Sequence, residues 1–302
     1  MNDPTRRPYF HEYLLSFEAH GYFFRPLSPG QELAGLGQVR ARRWHELHEI
    51  LERAKRGDVS GAARVLELYR ESHREIDGET DLYFEDTAIT ILGDIGSVEL
   101  FKEMRREIEA PAIREANRDD YLAVTKVKDY CRAFTGWGRL DAVPVILDQY
   151  LNLRMKRGYE LGILPCHISD FLIPAGGSDS MIQVEPPHGM LEDYLNLVMD
   201  RYDEMVAELG GEQVYVAFAR RLSARTLAQM ICAPVNKRPR FELMFLRRRF
   251  EPMTGIDCTD FFTADPWTPL AAAAIAEDFL ASAHSYDYEE GVRYFFGHRL
   301  PD

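Results

Sequence analysis

Apolar residues recur along this chain at every third or fourth position, the spacing that lines one face of an α-helix, and short glycine-bearing breaks separate the runs. The clearest case lies between Phe84 and Ile108. Phe84, Ala88, Ile91, Leu92 and Ile95 form one stripe, and Leu100, Phe101, Met104 and Ile108 form a second. Between them Gly96 is placed to take the left-handed conformation that ends a helix, and Ser97 to cap the N–H groups that open the next. The pattern predicts a helical hairpin. Such a hairpin buries one side of each helix and therefore needs neighbours.

The neighbours are present. Tyr9 to Ala19 reads as a first helix, and Trp44, Leu47, Leu51 and Ala54 stripe a longer one that ends at Gly57. Asp58 is a good N-cap for a helix carrying Ala62, Val65, Leu66 and Tyr69. A third copy of the device is Gly136-Trp137-Gly138, preceded by a stripe of Ala123, Val127, Tyr130, Cys131 and Phe134. Leu140, Val143, Ile146, Leu147, Tyr150 and Leu151 follow, with Asp141 as the expected cap and Pro144 in the first turn.

From Gly158 to Gly189 the pattern breaks, with four prolines and five glycines, and predicts an irregular loop. Helical spacing resumes at Leu191, Tyr194, Leu195, Val198, Tyr202, Met205, Val206 and Leu209, ending at Gly210-Gly211. Gln213 to Ile231 is expected to be helical, although QVYVAF alone has strand character. Phe241 to Phe250 forms a short basic helix, and Thr268 with Pro269 opens an alanine-rich one. The aromatic tail GVRYFFGHRLPD is expected to dock across the last hairpin and cap its apolar end.

Gly57, Gly96 and Gly138 stand 39 and 42 residues apart, each between two helices. A repeat near this length is what stacked helical hairpins require. In AITILGDIGSVELFKEM and GRLDAVPVILDQYL the chain resembles the HEAT-like helical repeat proteins, over roughly residues 40 to 155. The resemblance implies an all-α, α-solenoid-like stack of antiparallel hairpins. The expected organisation is one elongated domain spanning 1–302, with N-terminal repeats over 1–157, the irregular loop over 158–189, and C-terminal helices with a capping tail over 190–302.

Composition changes this picture in one respect. The 302 residues are 46% hydrophobic and 12% aromatic, ample for a core, but the net charge is −13. That balance argues against binding nucleic acid, whose phosphates call for clustered Lys and Arg, and favours a basic partner. From Asp58 to Leu100 eleven acids accompany only Arg64, Arg70 and Arg74, whereas from Arg220 to Arg249 nine Arg and Lys accompany only Glu242. Such charge runs are usually solvated faces, and the basic block can simply neutralise acids elsewhere in the same molecule. No apolar run approaches the ~18 to 20 residues a membrane span needs, and the start of the chain lacks a signal-like apolar stretch, so a cytoplasmic location is expected. Cys131, Cys166, Cys232 and Cys258 form no C-x-x-C pair and read as reduced, mostly buried thiols.

Catalytic patterns are weak. His45-Glu46-Leu47-His48-Glu49 approaches the zinc-protease signature, but its histidines are three apart rather than four. Glu185-Pro186-Pro187-His188 has the Glu-x-x-His spacing of di-iron bundles, yet its prolines exclude the helix interior. Gly35-Leu36-Gly37 and Gly136-Trp137-Gly138 lack the third glycine and preceding strand of a nucleotide fingerprint, and GGSDS around Ser178 lacks the frame of a nucleophile elbow. No cofactor, metal or catalytic residue is expected.

What remains is a protein-binding surface. The chain resembles the HEAT-like immunity proteins encoded beside bacterial polymorphic or type VI-delivered toxins, and YEEGVRYFFGHRLPD with TGIDCTDFF is similar to C-terminal segments of such families. The resemblance implies blockade of a cognate, basic toxin. The acids crowded before the central hairpin, Asp77, Glu79, Asp81, Glu85 and Asp86, are the candidate contacts, joined by Asp179, Glu185 and His188 in the irregular loop. The alternative is an acidic helical-repeat scaffold or regulatory module, and a third reading is an enzyme using the 158–189 loop through His167 or His188.

Overall fold

The structure, a computed structural model, describes residues 21–23, 38–74, 82–116, 120–157, 171–172, 191–233, 240–262 and 268–302, and these are mostly helical. Helices α1 (Gln38–Ala54) and α2 (Ala62–Arg74) come first. Then follow α3 (Leu82–Ile95), α4 (Val98–Glu109), the single turn α5 (Pro111–Arg114), α6 (Tyr121–Trp137), α7 (Ala142–Arg157) and α8 (Leu191–Leu209). A small antiparallel hairpin of β1 (Val216–Ala217) and β2 (Arg220–Arg221) precedes α9 (Ala224–Cys232), α10 (Arg240–Thr254) and α11 (Leu270–Ala281). A second hairpin pairs β3 (Tyr294–Phe295) with β4 (His298–Arg299). The helix expected over Tyr9 to Ala19 lies outside the described residues, as does nearly all of the 158–189 loop.

The described residues cluster into two compact units, those within Met1–Ala88, Ala224–Tyr288 and Tyr294–Leu300, and those within Ile89–Ser223, Glu289–Arg293 and Pro301–Asp302. Neither is one continuous stretch of chain.

In the first unit α1 packs on α2, and α9 packs on α10 and α11. The predicted stripes Trp44, Leu47, Leu51, Ala54 and Ala62, Val65, Leu66, Tyr69 are buried, and Trp44 meets Phe84 edge-on at 5.1 Å. Gly57 ends α1 with φ +93, the left-handed value the spacing predicts. Asp58 does not cap α2; its Oδ1 accepts the backbone N–H and hydroxyl of Ser60, making the turn that leads to Ala62.

α10 extends four residues beyond the expected Phe250. Gly255 N–H donates to the Glu251 carbonyl and the Thr254 hydroxyl to the Phe250 carbonyl, closing a last turn that tolerates Pro252. Glu251, on that turn, is a buried junction. Oε1 accepts the Tyr22 N–H at 2.6 Å, and Oε2 accepts Arg247 Nε at 3.0 Å and the Cys258 N–H at 3.3 Å. Burial pushes this carboxyl above its ordinary range while Arg247 and the two N–H groups pull it back. The β3–β4 hairpin is fixed to the same turn, because Phe296 and Gly297 donate their N–H groups to the Pro252 and Met253 carbonyls. Phe295 is thereby buried, with Tyr22 edge-on at 5.4 Å.

In the second unit α4 packs on α6, α6 on α7, and α7 on α8. Ala123, Val127, Tyr130, Cys131 and Phe134 are buried as the stripe predicts, and so are Leu140, Val143, Ile146, Leu147 and Tyr150. Ser97 caps α4, its hydroxyl accepting the Leu100 N–H at a long 3.4 Å. Gly96 is not left-handed, contrary to expectation. It is glycine for space, since a Cβ there would lie 2.5 Å from the Leu92 carbonyl oxygen and 2.8 Å from the Phe101 ring. Gly138 does take the left-handed C-cap of α6, at φ 75. Gly136 instead lets α6 touch the second half of α3, where its Cβ would fall 2.8 Å from the Gly93 Cα.

Residues 212–221 are not helical. The Gly138 carbonyl accepts the Val216 N–H, and the Leu140 and Asp141 N–H groups donate to the Val214 and Glu212 carbonyls, so residues 212–216 are held along the α6–α7 turn. Asp141 gives both carboxylate oxygens to Arg139, at 2.8 and 2.6 Å. Arg293 closes the C-terminus of α3. Its Nη1 donates to the Gly96 carbonyl at 2.8 Å, and its Nη2 to those of Gly93 and Asp94 at 3.0 and 2.8 Å.

Replacing Arg293 with leucine removes a cation from a helix C-terminus and strips three carbonyls of their donors. Urea unfolding is expected to show a loss of about 3 kcal/mol. Gly136→Ala is expected to cost about 1–3 kcal/mol by the same measurement, because two backbones must separate. Neither change should alter the helical circular dichroism before the transition.

Candidate functional site

Of the acid run before the central hairpin, Glu85 and Asp86 lie among the described residues. Glu85 is 2% exposed on α3, with His73 Nδ1 3.6 Å from its Oε2 and the His73 ring stacked on Tyr69 at 5.4 Å. A carboxylate so enclosed cannot greet a partner, and Glu85 leaves the candidate set. It lies on the same helical face as Ala88 and Leu92, one turn and two turns on, and that spacing foretold its burial. Asp86 is half-buried on α3. Asp77, Glu79, Asp81, Asp179, Glu185 and His188 lie outside the described residues.

Another acidic surface is well defined. On α8, Val198, Tyr202 and Met205 are buried, so the opposite face carries Asp200, Asp203, Glu204, Ala207 and Glu208, all exposed. Their spacing of three and four makes one continuous stripe. Arg201 sits at its edge, donating to Glu204 at 2.9 Å and standing 3.8 Å from Glu208, and Asp200 and Asp203 have no ion-pair partner among the described residues.

The helix is firmly terminated. Gly210 is left-handed at φ 78, the Gly211 N–H reaches back to the Val206 carbonyl at 2.9 Å, and Arg221 donates to the Leu209 carbonyl. Beyond the turn Glu212 is exposed. It accepts the Tyr202 hydroxyl at 3.1 Å, and burial together with this carboxylate pushes the phenol well above its ordinary range.

These acids were readable as the polar side of the apolar stripe. They are missed by counting charge along the chain, because exposed helical positions are diluted in sequence by the buried ones between them.

Gly35-Leu36-Gly37, the GGSDS around Ser178 and Glu185-Pro186-Pro187-His188 lie outside the described residues, and the other chemical motifs lie on helix surface or in the core. His45 is exposed and His48 half-buried one turn apart on α1, and among the described residues neither belongs to a group of three or more side chains close enough to hold a metal. Cys131 and Cys258 are buried, and burial raises both thiols far above the range where a thiolate forms. Arg247, in the basic block, is consumed by Glu251. Among the described residues no helix is long and apolar enough to cross a membrane.

Burial lowers the pKa of His48 below its ordinary 6.5. The unfolded chain then takes up the proton first, so stability is lost as pH falls from 6.5 toward the lowered native value. Urea midpoints measured from about pH 7.5 to about pH 5 should fall less steeply in a His48→Gln variant than in the unaltered protein.

Comparison with protein-family models, with curated proteins and with solved structures finds no match for the chain.

Proposed function

We propose that this chain is an immunity protein that binds a cognate bacterial toxin in the cytoplasm and neutralises it by protein–protein blockade, without a cofactor or chemistry of its own. The observation that carries the reading is the exposed acidic face of α8, Asp200, Asp203, Glu204 and Glu208, in a chain of net charge −13. A fixed anionic stripe accelerates encounter with a cationic partner and sets its orientation. The same stripe can stand in for substrate phosphates in a basic toxin that acts on nucleic acid.

The frame for this surface is a HEAT-like stack of hairpins. Supporting it are the paired packing of α1 with α2 and the successive packing of α4, α6, α7 and α8, together with the 39- and 42-residue spacing of the hinge glycines. Asp77, Glu79, Asp81 and Asp86 extend the proposed contact set, with Asp179, Glu185 and His188 as contributions from the loop.

The test begins with the product of the adjacent gene. Co-expression should restore growth against that protein, and the purified pair should bind tightly. Neutralising α8 as Asp200→Asn, Asp203→Asn, Glu204→Gln and Glu208→Gln should slow association at least about tenfold and flatten its salt dependence. Unchanged affinity and salt slope in that variant, and in a second one neutralising Asp77, Glu79, Asp81 and Asp86, would remove the electrostatic blockade. Recovery of several unrelated partners, with no protection of growth, would point instead to a scaffold.

A further inference from the structure

In the second unit a partly open cavity of about 50 Å³ lies between α4 and the α6–α7 turn. Its floor is aromatic: Phe101 stacks on Trp137 with ring centroids 4.3 Å apart and planes 11° from parallel. Arg139 lies over the same indole at 4.3 Å from its centroid. Three cations line the opening, Lys102, Arg105 and Arg139, against the single acid Asp141, and the rest of the lining is apolar. This is a cationic opening in a strongly acidic chain.

The donors and acceptors do not balance. Both Asp141 oxygens are taken by Arg139 Nε and Nη2, which satisfies the one carboxylate in the lining. Arg105 uses only Nε, on Glu109 at 2.7 Å, so the four N–H bonds of its two Nη groups meet no acceptor among the described residues. Lys102 gives one hydrogen bond, to Glu99 at 2.8 Å, and both side chains of that pair are more than half exposed. Such exposed pairs contribute little and exchange readily. The Trp137 indole N–H is buried and also lacks an acceptor among the described residues.

We infer that this cavity binds a carboxylate carried on a small apolar or aromatic stem. The carboxylate supplies acceptors to Arg105 and Lys102, and the stem lies against Phe101, the Trp137 ring and the apolar wall. A water needs roughly 10–15 Å³ by this measure, so the space holds about three to five water-sized groups, room for a small stem with its carboxylate in the opening and for no nucleotide or sugar. The chemistry is shared by a free organic acid and by the C-terminal residue of a peptide. It is independent of the immunity reading, which rests on acids of α8 and a guest of opposite charge.

The test uses the full chain, labelled with ¹⁵N, whose three tryptophans give three indole N–H signals. Benzoate should shift one of them, assigned to Trp137 by its loss in Trp137→Phe, whereas benzamide, of the same shape without the charge, should not. A Lys102→Gln/Arg105→Gln variant with unchanged circular dichroism should bind benzoate at least about tenfold more weakly. A peptide ending in phenylalanine, free or amidated, separates the sources: tighter binding of the free form than of benzoate assigns a protein C-terminus, and weaker binding assigns a small acid. An equal response to benzamide, no response to either acid, or undiminished binding in the double variant overturns the site.

Discussion

A single guanidinium, that of Arg293, carries the geometry of the central hinge. Helix α3 must stop at Ile95 for α4 to start at Val98, and the carbonyls of its last turn then have no helical partners. Arg293 answers three of them at once, from 197 to 200 residues away in the chain. It is a cation placed where the helix dipole is negative, and its planar fork reaches separate acceptors that a lysine could not span. With the turn so fixed, Phe101 stacks on Trp137, and the left-handed Gly138 then sends the chain into Arg139 and Asp141.

The distribution of charge follows a simple division. Acids that lie on apolar faces are enclosed: Glu251 is given donors and a cation by Arg247, Tyr22 and Cys258, whereas Glu85 has no hydrogen-bond donor among the described residues and stands 3.6 Å from His73. Acids opposite an apolar face remain in water, as on α8. The first kind orders the fold at the expense of desolvation, and the second is available for a partner. The cationic opening beside Trp137 stands apart from both, because there the surplus is of donors rather than acceptors.

Glycine has three separate uses here. Gly57 and Gly138 adopt left-handed backbone at helix ends. Gly96 leaves room for a carbonyl and an aromatic ring, while Gly93 and Gly136 allow two helices to touch. All look alike in a sequence, since the residue type records the absence of a side chain and not the reason for it. The turn residues Phe218 and Ala219 invert the lesson, at φ 53 and 59 without being glycine. There the β1–β2 pairing and the Ala219 N–H bond to the Phe171 carbonyl hold a conformation that local preference disfavours.

Helix existence and the buried stripes were written in the sequence, because a 3.6-residue period is a local property and burial follows it. Trp44 to Ala54, Ala62 to Tyr69, Ala123 to Phe134 and Leu140 to Tyr150 all turn their predicted faces inward. The acidic side of α8 was equally present, as the complement of its apolar stripe. Tertiary structure alone decided the rest. Residues 212–216 are drawn along the α6–α7 turn, which offered their backbone partners, and 216–221 turn back on themselves as a hairpin. Glu85 was buried beside His73 because its helical face outweighed its membership in an acidic run. The grouping of α1 and α2 with α9, α10 and α11, like the reach of Arg293 to Gly96, depends on contacts between residues far apart in the chain, and periodicity carries no record of them.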